Sequence, residues 1–301
     1  MGDKAYSDLI RELWGSPGVW SEKKKYVEVA KKLGVDEETV RNRIKYLKES
    51  GFLIGWRVVP SPALLGRKIA FLLVEIEDND GGSKEKVVSE LKGKEGVISI
   101  VSIYPNNLLV NVLDDGEKTS SKQISEMKLK TSPLVVPEMN VPRSDFRMTT
   151  TDWKIVSLLL KDAERKVSEV SKELKTSAKT VRRRLNAMMG ASAILIMPIV
   201  NLKKASGVSY SLMVQCQDGK RDEVNRLIAS RIHNLVFRAS DSSNGSIFGF
   251  TGANLAEGNE VLGWVRQLNG VRAARMNISE EVVHVFDWLE TEVDRRVSAD
   301  A

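Results

Sequence analysis

Histidine and cysteine are almost missing: the 301-residue chain has one cysteine, Cys216, and two histidines, His233 and His284. A single thiol closes no internal disulfide and has no neighbouring cysteine with which to build a thiolate metal site. Within SLMVQCQ, Cys216 reads as a small buried hydrophobe of a strand. Two histidines offer little for acid–base chemistry or ligation, and no HExxH, GxSxG or glycine-rich phosphate loop is present. The expectation is a chain that is not an enzyme, with no catalytic residue, no metal and no cofactor. Long apolar runs are missing too. The longest, residues 69–74 (IAFLLV) and 193–200 (AILIMPIV), fall far short of the roughly 18 residues a membrane-spanning helix needs. The first 30 residues are charged and contain no apolar signal core, so a cytoplasmic protein without a membrane partner is expected.

What is present is a repeat. Residues 25–75 align with 166–216 at a constant offset of 141 and without a gap. Lys25/Lys166, Glu28/Glu169, Val29/Val170, Leu33/Leu174, Thr39/Thr180, Val40/Val181, Arg41/Arg182, Arg43/Arg184, Val59/Val200 and Gly66/Gly207 are among the identical pairs. Apolar spacing predicts helices over 3–14, 25–33 and 36–49, then over 151–160, 166–174 and 177–189. Asp36 and Ser177 stand where an N-cap belongs, after the short turns Gly34-Val35 and Lys175-Thr176, which makes each unit a helix-turn-helix. The apolar stretches 52–59 and 194–200 sit where a wing would follow. Beyond each, strand and helix patterns run in the order βαββαβ, ending near 133–141 and 271–286, with helices near 117–129 and 255–268 in the second helical slots. The fold class is α+β: two winged helix-turn-helix domains (1–61 and 145–204) alternating with two ferredoxin-like domains (62–144 and 205–301). A helical pattern also runs through the tail, 287–301.

Charge follows this division. Residues 1–61 hold 12 basic and 9 acidic side chains and residues 146–204 hold 13 and 5, whereas 62–141 hold 10 and 12 and 205–301 hold 10 and 13. The positive excess therefore lies in the helix-turn-helix units, the pattern a polyanionic partner requires. At about 100° per residue, Val40, Ile44 and Leu47 share the inner face of the helix after Asp36, and Glu38, Arg41, Asn42 and Lys45 project outward. The second copy sets Val181, Leu185 and Met188 inside and Lys179, Arg182, Arg183 and Asn186 outside. Long cationic donors and amides on an outward face suit guanine and adenine edges and phosphates. Double-stranded DNA is the expected partner, with Arg41, Asn42, Lys45, Lys179, Arg182 and Arg183 reading the groove. Lys175, Arg184 and the wings are expected to clamp phosphates, and Arg43 and Arg184, beside the core faces, have either a carboxylate or a phosphate as partner. The second unit, free of the acidic start of the first, is expected to bind more strongly.

VAKKLGVDEETVRNRIKYLKESGFLIGWRVVPSPALLG and VSKELKTSAKTVRRRLNAMMGASAILIMPIVNLKKASG resemble the Lrp/AsnC family of bacterial and archaeal transcription regulators, which join a winged helix-turn-helix to a ferredoxin-like sensing and assembly domain. The resemblance implies a sequence-specific regulator of archaeal-like type that forms homodimers or larger homo-oligomers, with this tandem chain as its own pseudo-dimer. The Gly-Asp-Tyr-Asp-like turn tied to amino-acid sensing in the family reads Tyr104-Pro105-Asn106-Asn107 and Ser243-Asn244-Gly245-Ser246 here, so a small-molecule effector is left open. Lys175 occupies a turn position where the family commonly has glycine. Two rival functions share the architecture: a siroheme decarboxylase, which would need histidines beside its tetrapyrrole, and an architectural chromatin protein. His233 and His284 read as ordinary polar or half-buried positions.

Overall fold

The structure, a computed structural model, describes residues 9, 26–76, 84–115, 124, 130–135, 144, 146–205, 207–232, 235–240 and 244–299. The helices expected over 3–14 and 117–129 fall outside these residues except at Leu9 and Ile124. The first half contains α1 (Tyr26–Leu33), α2 (Glu37–Glu49), β1 (Leu53–Pro60), β2 (Lys68–Glu75), α3 (Lys84–Lys92), β3 (Val97–Ile103), β4 (Asn107–Asp114) and β5 (Lys130–Val135). The second contains α4 (Thr150–Lys161), α5 (Val167–Glu173), α6 (Ala178–Gly190), β6 (Ile194–Val200), β7 (Val208–Cys216), α7 (Arg221–Arg231), β8 (Leu235–Ser240), β9 (Gly245–Gly252), α8 (Leu255–Arg266), β10 (Val271–His284) and α9 (Asp287–Ala299).

Eight strands form one sheet in the order β5-β2-β4-β3-β10-β7-β9-β8. Each run of four has the strand order that an antiparallel βαββαβ chain produces. The long strand β10 splices them, pairing through Val271–Ser279 with β7 and through Ser279–His284 with β3. Strand alternation sends successive side chains to opposite faces. On one face of the first four strands, Leu72, Val74, Ile100, Val110 and Val112 meet Val87 and Leu91 of α3. The corresponding face of the second four, with Leu212, Val214 and Phe248, is covered by Val224 and Ile228 of α7 and Val265 of α8. The remaining faces share a core, in which Ile69, Phe71, Ile103 and Leu109 join Ile247 and Met213. Cys216 is buried in β7, as expected.

The two stretches expected to be wings are instead each other's partner: β1 and β6 form a separate antiparallel pair. The reason is compositional. LIGWRVVP and ILIMPIV are too apolar to stand in water, and pairing buries most of both strands. The register obeys a local two-fold. Trp56 faces Pro198 and Arg57 faces Met197, Gly55 faces Ile199 and Val58 faces Ile196, and in each couplet the 141 offset exchanges one pair for the other. The cores interlock across this axis. Val200 packs with Val29, Val40, Ile44 and Leu47 of the first unit, whereas its counterpart Val59 packs with Trp153, Val181 and Met188 of the second. Each such buried valine contributes about 1.5–3 kcal/mol.

The tail forms α9 and docks on α4. Leu289 and Val293 enter the core beside Trp153, and Ser157 donates to Asp294 at 2.7 Å.

Candidate nucleic-acid interface

Both second helices of the helix-turn-helix pairs start on the expected caps. Asp36 accepts from the Thr39 amide at 2.6 Å, and Ser177 accepts from the Thr180 amide at 3.0 Å. The Thr39 amide, followed by its hydroxyl, holds the Asp36 carboxyl below its ordinary pKa. Val40, Ile44 and Leu47 are buried on α2; on α6, Val181 and Met188 are buried and Leu185 is half-buried. The opposite faces are exposed, with Glu38, Arg41, Asn42 and Lys45 on α2 and Lys179, Arg182, Arg183 and Asn186 on α6. The structure thus gathers each set of sequence-selected side chains on one helix face.

The two faces differ in how their cations are engaged. Arg41 forms an ion pair with Glu37 and lies 5.0 Å over the Tyr26 ring, and Lys45 sits 3.8 Å from Glu49. No acidic residue occurs between Glu173 and Asp218. Among the described residues, no carboxylate pairs with Lys179, Arg182 or Arg183. The macrodipole of α6 therefore points an uncompensated positive end outward, while Glu37 and Glu38 offset that of α2. Lys175 is exposed in the turn before α6 and takes the left-handed backbone, φ 49°, that Gly34 takes at φ 65° in the first unit.

Arg184 is not free for a phosphate. Its Nε donates to Asp152 Oδ1 at 2.6 Å, and Nη2 meets Oδ2 of the same carboxylate. Asp152 is fully buried and also completes a capping box on α4, accepting from the Thr149 amide at 2.8 Å. Burial raises the Asp152 pKa, but Arg184 and Thr149 together outweigh it and leave the carboxyl below its ordinary range. Of the two partners expected for Arg184, the geometry selects the carboxylate. The spacing Thr149-x-x-Asp152 was the signal for this residue, because a carboxylate three places after a threonine that opens a helix marks a box. Arg43 is half-buried on α2, and the residue 141 places before Asp152 is Arg11, so the same pair is not repeated. The paired β1 and β6 likewise provide no free wing to grip a backbone.

His284 lies at the junction of β10 and the β1–β6 pair. Both ring nitrogens are buried without a hydrogen-bond partner. Burial lowers its pKa to about 4, aided by the Arg57 charge and opposed by the Val200 backbone. The imidazole stacks near Phe286, 6.3 Å between centroids, and the Arg57 guanidinium lies 5.4 Å from the centroid of the same ring. His233 falls outside the described residues. Among the described residues, no cluster of three or more His, Cys, Asp or Glu side chains is placed to hold a metal ion, and no helix is long and apolar enough to cross a membrane. At the start of α3, Lys84 Nζ donates to the Ile103 carbonyl at the end of β3 at 2.9 Å and to Glu280 of β10 at 2.7 Å.

Residues 148–189 match the AsnC-type helix-turn-helix domain. The chain is 31% identical over 96 residues to the HTH-type transcriptional regulator LrpA of Pyrococcus horikoshii, a match spanning 31% of this chain and 65% of that protein. In solved structures, the siroheme decarboxylase NirDL superimposes with a TM-score of 0.61 at 17% identity, covering 98% of this chain and 99% of that one. Its complex with an iron-uroporphyrin III analogue gives 0.59 at 16% identity, with the same coverage. This corrects the expectation that the chain is not an enzyme: the fold that spans it nearly end to end is one an enzyme uses. The scarcity of histidine misled because it counts residue types and says nothing of the cavity a fold can offer. The family match thus falls on the second helix-turn-helix unit, from the start of α4 to the end of α6.

Proposed function

We propose that the chain is a cytoplasmic transcription regulator that binds duplex DNA through two helix-turn-helix units, 1–61 and 145–204, whose expected wings pair with each other, carried on two ferredoxin-like domains, 62–144 and 205–301, arisen by tandem duplication. The observation that carries this reading is the exposed set Lys179, Arg182, Arg183 and Asn186 on a capped helix whose first turn carries no acidic residue, within the stretch that matches the AsnC-type domain. Lys179, Arg182 and Arg183 reach base edges, Lys175 neutralises a phosphate near the helix start, and Arg41, Asn42, Lys45 and Arg43 serve the first unit more weakly. Self-association of chains, as in Lrp/AsnC oligomers, would place four units on one assembly; sedimentation measures it. Binding of double-stranded fragments at several salt concentrations tests the reading. Replacing Arg182 and Arg183 with alanine lowers affinity roughly 100-fold and flattens the salt dependence, whereas replacing Arg41 and Lys45 costs less. Equal losses remove the asymmetry.

The shared fold with NirDL favours a second reading, a tetrapyrrole substrate or ligand. His284 and Arg57 offer donor types such a molecule engages, a buried imidazole and a guanidinium. A siroheme titration with a saturable absorption shift that His284→Ala abolishes supports it; no shift removes it.

A further inference from the structure

We propose that a single chain reads a bipartite, non-palindromic duplex, with α6 on one half-site and α2 on an unlike second half-site. This rests on the DNA-binding reading above and specifies its target. The β1–β6 register relates the two helix-turn-helix units by a local two-fold within one polypeptide. A pair of units so related addresses half-sites about 10 bp apart or a multiple of that. The units are also held to each other. Lys48 of α2 forms a 2.7 Å ion pair with Glu164, in the turn after α4, and Val200 and Val59 are exchanged between the two cores.

In a homodimer that geometry would present one set of side chains twice and select an inverted repeat. Here the sets differ. At equivalent places α2 presents Glu38, Arg41, Asn42 and Lys45, and α6 presents Lys179, Arg182, Arg183 and Asn186. Only the Arg41/Arg182 position is shared. Asparagine pairs with adenine, glutamate accepts from the cytosine amino group, and arginine and lysine pair with guanine. The half-site under α6 is therefore the richer in guanine, and the one under α2 the more mixed. Covalent connection fixes one of each per chain.

Selection of duplexes from a random pool with the full chain, followed by footprinting and native mass spectrometry, tests this. The expected result is a motif of two dissimilar halves occupied by one chain. Arg183→Ala then relaxes base preference in one half only and Asn42→Ala in the other only, each with a roughly tenfold or smaller loss of affinity. Both positions are exposed, so both variants fold. An inverted repeat bound by two chains, or an Arg183→Ala effect on both halves, overturns the proposal. Failure to retain any duplex at low salt overturns the underlying DNA-binding reading instead, so the two failures are distinct.

Discussion

Removing the Arg184 side chain separates a structural arginine from the exposed arginines of α6. Asp152 has no exposed surface, and its partner keeps 24% of its side-chain surface in water. Arg184→Ala strands a buried carboxylate that retains only its Thr149 bonds. Breaking a buried pair from one side costs about 3–5 kcal/mol, and partial solvation of Arg184 puts this one near 3. For a chain of this size that is a fall of about 5 °C in Tm. Asp152→Ala adds the loss of a cap, about 1 kcal/mol. The double variant recovers part of the Arg184→Ala cost, because no stranded carboxylate is left. The pH dependence has a definite sign. The folded-state pKa of Asp152 lies below its unfolded value, so the pair stabilises above the unfolded pKa, and that contribution is lost as pH falls through the folded one. Arg184→Ala therefore flattens the acid limb below about pH 4. Thermal denaturation from pH 3 to 8, alongside DNA titration, reads both quantities. Arg182→Ala, on the exposed face, moves stability by about 0.5 kcal/mol or less. An Arg184→Ala variant with unchanged Tm, and an affinity loss equal to that of Arg182→Ala, would refute the reasoning.

Lys175→Gly relieves a left-handed backbone that costs an L-residue about 1–2 kcal/mol, partly offset by glycine's unfolded-state entropy; calorimetry shows a Tm rise of a degree or two, and a fall contradicts it. His284 is neutral when folded, with a pKa of about 4, so the unfolded chain takes up its proton first and stability declines as pH drops from 6.5 toward 4, by up to about 3 kcal/mol. His284→Phe removes that slope, and urea midpoints measured across the window check it. A Cβ at Gly207, where φ is 91°, would lie 2.3 Å from the Gly252 carbonyl oxygen, whereas at Gly66, φ 69°, it meets nothing within 4 Å. Gly66→Ala costs about 1–2 kcal/mol and Gly207→Ala distinctly more; equal costs would mean that the β7–β9 approach is looser than described.

Local rules made the helix-turn-helix units legible. Asp36 and Ser177 cap where expected, and the 3.6-residue period separates Val40, Ile44 and Leu47 from Arg41, Asn42 and Lys45. Strand order followed from element order because an antiparallel βαββαβ chain has few solutions. What could not be read was contact between distant segments. Nothing local to Leu53–Pro60 announces that Ile194–Val200 is its partner, and an apolar strand beside a helix-turn-helix reads equally as a wing. Arg184 shows the same limit on a smaller scale. Its phase beside the core face was clear, but the choice of partner depended on Asp152, 32 positions away, being buried under it. Glu37, which holds Arg41, lies four residues before it, where the i,i+4 rule applies, although the sequence alone assigns Arg41 to the groove. The affinity of this fold for one ligand over another has no periodicity at all, which is why a scarcity of histidine could not decide about chemistry.

The exchange of Val59 and Val200 between neighbouring cores also settles how the molecule behaves when scarce. Regulators assembled from separate subunits come apart on dilution and can trade partners with their cousins in the same cell. Two units joined in one continuous strand of peptide have no such equilibrium between themselves: they stay together at one copy per cell as at a thousand.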